Sequence, residues 1–124
     1  MKTANVAEAV KSEHAVALLK QMYGENRVEE NAARYQLVAD GFAKEFGDKA
    51  FEFFSAPGRT EIGGNHTDHN HGKVLAGSVH LDCVAAAAPN GTHTVNLISE
   101  TYNQHLVIDL DDLAPTEKTT GTEP

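Results

Sequence analysis

The sequence has one cysteine, no tryptophan, no run of lysine and arginine, and nowhere a long unbroken apolar stretch. Each shortage closes off a class. A lone Cys83 cannot form an intramolecular disulfide, and with Val84 and Ala85 to Ala88 beside it the thiol is expected to act as a small hydrophobe in a core strand. Ten basic side chains face eighteen acidic ones, a formal net charge of −8 with the histidines neutral. That balance, without clustered positive charge, argues against nucleic acid or an anionic membrane surface as partner. Charges interrupt the N-terminal residues before an apolar signal segment can form, and no segment reaches the length of a membrane span, so the expected location is cytoplasmic. There is no internal repeat. What remains is 124 residues, 40% hydrophobic and 23% charged, which suits one globular domain with one core.

Apolar spacing divides the chain. Val6, Val10, Ala17, Leu18 and Met22 recur at helical intervals with Gly24 where a C-terminal cap belongs. Val28, Ala32, Tyr35, Ala39, Phe42 and Phe46 predict a second helix over about 27–46, stopped by Gly47. The period then changes. Residues 50–55 read as a short strand ending in a turn at Ala56-Pro57-Gly58, and a polar stretch from Arg59 to Lys73 follows. Further strands are predicted at 79–85, 94–99 and 106–110, with a turn signal at Pro89-Asn90-Gly91-Thr92. The expected class is α+β, with N-terminal helices packed on a mainly antiparallel β-sheet. Residues 1–46 make the helical segment, 47–113 the loop and β-meander of the same domain, and 114–124 a polar tail expected to fray.

The chemistry concentrates between Ser55 and Gly72, where one guanidinium, two carboxylates, three imidazoles, two carboxamides and four glycines share eighteen residues. A long connection of this composition suits a ligand-lined loop held by a scaffold. Asp68 and Asn70 can hydrogen-bond vicinal hydroxyls, and Arg59 can stabilise an alkoxide or phosphate oxygen without losing its charge. A polyol phosphoacceptor fits those groups. The rival is a metal site, since His66, Asp68, His69 and His71 are legitimate Zn²⁺ ligands at short spacing. They resemble part of the metallo-β-lactamase pattern H-x-H-x-D-H, with Gly64 where the first histidine should stand.

Ala56-Pro57-Gly58-Arg59, followed by His66-Thr67-Asp68, resembles the galactokinase signature A-P-G-R-V-N-L-I-G-E-H-T-D-Y-N. The resemblance runs from Arg34 through Glu45-Phe46-Gly47 to Leu113. It implies the truncated N-terminal domain of a sugar kinase of the family that also holds the homoserine and mevalonate kinases (GHMP kinases). The implied activity is ATP-dependent phosphorylation of the anomeric hydroxyl of galactose or a related hexose. Carried over by position, Arg59 is the catalytic arginine beside the reacting hydroxyl, and His66 and Asp68 bind the sugar. Asn65 stands where the family has glutamate, so a charged acceptor is replaced by a neutral one, and Thr60-Glu61 replaces Val-Asn.

ATP and Mg²⁺ are implied for the full-length enzyme, yet no glycine/serine phosphate loop and no Walker motif occurs in these residues. The expectation is therefore an N-terminal part, cut before the nucleotide-binding loop, that is inactive alone and binds neither ATP nor Mg²⁺ tightly. Its partners are a small sugar and the remainder of the kinase chain, with self-association of the isolated piece through open strand edges. The alternative is a non-catalytic sugar- or metal-binding module.

Overall fold

The computed structural model describes residues 3–64 and 71–112. It is α+β, and the chain divides into two compact units, Met1–Ala88 and Pro89–Pro124. In the first, a 3₁₀ turn (Thr3–Asn5) leads into α1 (Val6–Ala9), α2 (Glu13–Tyr23), a second 3₁₀ turn (Glu25–Arg27) and α3 (Val28–Phe46), followed by strands β1 (Glu52–Gly63) and β2 (Leu75–Ala87). The second holds β3 (Thr94–Ser99) and β4 (Gln104–Asp109).

The expected first helix is two helices. Ser12 breaks it: its Oγ donates to the carbonyl of Ala9 at 2.7 Å and accepts from the Ala15 amide at 3.2 Å, closing α1 and capping α2. The break resets the helical phase, so α2 buries Leu19 and Tyr23, and Leu18 of the expected stripe is exposed. The second helix follows its stripe. Gly47, at φ +79°, ends it with an amide bond to Ala43 O, a left-handed cap that glycine adopts without steric cost.

That stripe meets the first hairpin at the core. Val6, Ala39, Phe42 and Phe51 are buried together, with Val10, Phe46, Phe53, Ala86 and Ala88 packed around them. Phe51 lies 4.8 Å from Phe42 and 5.2 Å from Phe53, ring centroid to centroid, and the tilted and edge-on geometries suit aromatic quadrupoles.

β1 and β2 pair antiparallel, Phe53 opposite Ala86 and Pro57 opposite Asp82, with register shifts between Pro57 and Arg59 and between Glu61 and Gly63. The hairpin departs from expectation at two places. Ala56-Pro57-Gly58 is strand rather than turn: among the described residues β1 has one neighbour and a bulge follows, a setting in which proline's missing N–H is tolerated. Cys83 is exposed rather than core. Strand alternation puts Val84 and Ala86 on the helix side, and Cys83 goes with Leu81 and Phe54 to the opposite, uncovered face.

The strands do not form a single meander. β3 pairs only with β4, Thr94 opposite Asp109 and Ser99 opposite Gln104, as a separate two-stranded sheet among the described residues. Asn90 organises the turn before it, donating to Thr94 O at 2.7 Å and accepting from the Thr92 amide at 2.9 Å. No described helix is long and apolar enough to cross a membrane.

Candidate functional site

The polar segment is the connection of the first hairpin together with the strand residues that flank it. β1 continues through Arg59, Thr60 and Glu61 to Gly63, so the part of the segment nearest the signature arginine is held in a sheet ladder, Arg59 opposite Ser78. The register shift after Pro57 is packed tightly: a Cβ on Gly58 would come within 3.2 Å of the Leu81 carbonyl and 3.3 Å of Val79 Cγ2. Past it the Arg59 side chain is 74% exposed, and its Nη2 lies 3.3 Å from Glu61 Oε1 on the same strand face. Glu61 is half-buried, but the guanidinium itself lies largely in solvent at a long 3.3 Å contact, which leaves its charge open to a ligand oxyanion.

Where β1 ends, the chain has no room for a side chain. Gly64 sits at φ +81°, and a Cβ there would fall 2.1 Å from the Lys73 carbonyl oxygen and 2.9 Å from Val74 Cα. Only glycine fits this crossing of the two loop stems.

Asn65, His66, Asp68, His69 and Asn70 lie outside the described residues, so the structure places Arg59 and His71 alone of the expected site residues. His71 is exposed at φ +58°, on the return side of the connection. No group of three potential metal ligands occurs among the described residues.

One feature escaped sequence reasoning. Asp82 of β2, its side chain 5% exposed, gathers groups from three other elements. Its Oδ1 accepts from Arg34 Nη1 of α3 at 2.5 Å, and its backbone carbonyl accepts from Arg34 Nη2 at 2.5 Å. Its Oδ2 accepts from the hydroxyls of Tyr23 in α2 and Ser55 in β1, each at 2.5 Å, and Tyr23 Oη meets Tyr35 Oη at 3.1 Å. Burial pushes the Asp82 carboxyl up, but hydrogen bonds from Ser55, Tyr23 and Arg34 outweigh it and hold the group below its ordinary value. Burial, then the bond to Asp82, pushes the Tyr23 phenol well up. The Arg34 guanidinium is raised by its hydrogen bond to Asp82. A shallow cavity of about 330 Å³ opens beside this node, lined by Met22, Tyr23, Ser55, Pro57, His80 and Asp82 among others.

With the geometry in view, comparison with known proteins adds a family. Residues 40–89, the end of α3 through β1 and β2, match the galactokinase galactose-binding signature. The galactokinase of Lactococcus lactis subsp. cremoris (strain MG1363) is 37% identical over 89 residues, covering 69% of this chain and 22% of the relative. That of Lactococcus lactis subsp. lactis (strain IL1403) is 36% identical over 95 residues, 76% of this chain and 24% of the relative. The galactokinase of Lacticaseibacillus casei (strain BL23) is 36% identical over 73 residues, 59% and 19% respectively. The chain thus spans less than a quarter of the length of these curated relatives. No solved structure matches it.

Proposed function

We propose, from the premise that this chain belongs to the galactokinase family through its galactose-binding signature, that its first hairpin grips a galactose-type hexose as the acceptor part of an ATP-dependent sugar kinase. The observation that carries the reading is the position of Arg59: inside the matched segment, in the outer half of β1 just after the Gly58 bulge, with its guanidinium exposed. In this reading Arg59 stabilises the alkoxide that forms as the anomeric hydroxyl gives up its proton, and it orients that oxygen for phosphoryl transfer. Asp68 and His66 hydrogen-bond the ring hydroxyls, and Asn65 contributes a neutral acceptor and donor in place of a charged acceptor, which favours weaker or broader hexose recognition. The setting is cytoplasmic.

ATP and Mg²⁺ would supply the phosphoryl group and neutralise its developing charge. The sequence carries no Walker motif and no glycine/serine phosphate loop to cradle the nucleotide. The 124-residue chain is read as sugar-binding without phosphorylating. The test is a galactose titration followed by NMR, run beside a kinase assay with ATP and Mg²⁺. Weak saturable binding, lost in Arg59→Ala and in Asp68→Ala, with no sugar phosphate formed, is the expected result. Sugar phosphate made by this chain alone, or binding that ignores both variants, refutes the reading.

A further inference from the structure

The helices and the first hairpin are joined by hydrogen bonds that converge on Asp82, a buried carboxylate to which the proposed sugar contacts assign no role. Its place in the ladder gives it one. Asp82 stands opposite Pro57, the last paired residue before the register shifts, and Ser55, two residues earlier on the same face of β1, donates to its Oδ2. Arg34 and Tyr23 hold the same carboxylate from α3 and α2. The strand is thus fastened to both helices immediately before the bulge, and the tight packing of Gly58 against Leu81 and Val79 leaves the bulge little slack. Arg59 is the first paired residue of the new register.

We propose that Asp82 is a positioning residue for the sugar site: by holding Ser55, Arg34 and Tyr23 on one carboxylate it fixes the bulge at residues 57–59, and with it the direction from which Arg59 reaches its ligand. The proposal rests on the reading of Arg59 as a sugar-site group. It assigns to the helices a function beyond core formation, since a shift of the bulge by one ångström is enough to misplace a guanidinium aimed at a single oxygen.

The test uses the 124-residue chain and three variants, Ser55→Ala, Asp82→Asn and Val6→Ala. Galactose is titrated into each while the Arg59 Nε–Hε signal and the amides of residues 58–62 are followed by NMR, with urea unfolding in parallel. Ser55→Ala, which removes only the strand's own link to Asp82, is expected to displace the Arg59 signal and to weaken binding by about fivefold or more. Val6→Ala, a core truncation away from the node, is expected to lose stability and bind as the parent does. Parent-like binding and an unmoved Arg59 signal in Ser55→Ala overturn the proposal, as does a loss of binding in Val6→Ala that tracks its loss of stability. If Asp82→Asn does not fold, Ser55→Ala decides. A parent chain that fails to bind galactose refutes the sugar-site reading instead, and the Arg59 signal, read without sugar, still decides whether Ser55 holds the bulge.

Discussion

Replacing Asp82 with asparagine keeps the shape of the side chain and removes its charge. Arg34 then loses its anionic partner, and the carboxamide nitrogen brings a donor to where two hydroxyls and a guanidinium already donate. Removing one partner from a fully buried ion pair costs about 3–5 kcal/mol. The Arg34 side chain is 36% exposed and can rehydrate, so the expected loss is smaller, about 2–3 kcal/mol. For a unit of this size that corresponds to a drop of roughly 10–20 °C in Tm. Urea unfolding followed by circular dichroism, with an unchanged slope, measures it. The depressed Asp82 carboxyl also fixes the pH dependence. Its stabilisation is fully present above the ordinary aspartate value, about 3.9, and is lost as pH falls through the lower value of the folded state. The gap between the parent and Asp82→Asn should therefore be wide at pH 7 and narrow in acid. A loss below about 0.5 kcal/mol at pH 7, or a gap that ignores pH, refutes the assignment of Asp82 as a charged structural node.

Phe51→Ala removes the centre of the aromatic cluster at a cost of about 3–5 kcal/mol, close to the whole stability of a small unit, and should leave far-UV circular dichroism largely that of an unfolded chain; a cooperative native transition would contradict it. Gly64→Ala combines a backbone collision with a left-handed φ, so it should destabilise the chain by about 1–3 kcal/mol and shift the amides around Lys73 and Val74; a silent substitution would show that the stems do not cross as described. Phe54 and Leu81, 55% and 69% exposed on the uncovered face of the hairpin, should drive self-association in concentrated solution, and light scattering that stays monomeric throughout would count against it.

Much of the frame was legible in the residues, and the misses have local causes. The α3 stripe and its glycine stop were plain because both are signals carried by neighbouring residues. The break at Ser12 was hidden by apolar residues on either side of it, although a serine followed by glutamate is a capping signal. Pro57-Gly58 reads as a turn in isolation, and only the partner strand shows that the chain runs straight on through a bulge. The apolar neighbours of Cys83 suggest a core position, whereas strand alternation decides sides residue by residue. Asp82 gave no signal at all: its partners Tyr23 and Arg34 lie 59 and 48 residues away, and tertiary folding alone brings them to one carboxylate. Of the candidate site, Arg59 and the obligatory glycine at 64 were within reach of a motif, but the reason for that glycine, the crossing of the loop stems, was not.

The central claim is that a galactose-type sugar lies with its anomeric oxygen beside Arg59. Galactose labelled with ¹³C at C1, added to the ¹⁵N-labelled chain, allows transfer between the anomeric proton and the Arg59 side chain to be read directly. The account predicts cross-peaks from that proton to Arg59, abolished in Arg59→Ala. Binding in which the anomeric proton shows no contact with Arg59, or in which the opposite end of the sugar meets it instead, would contradict the account.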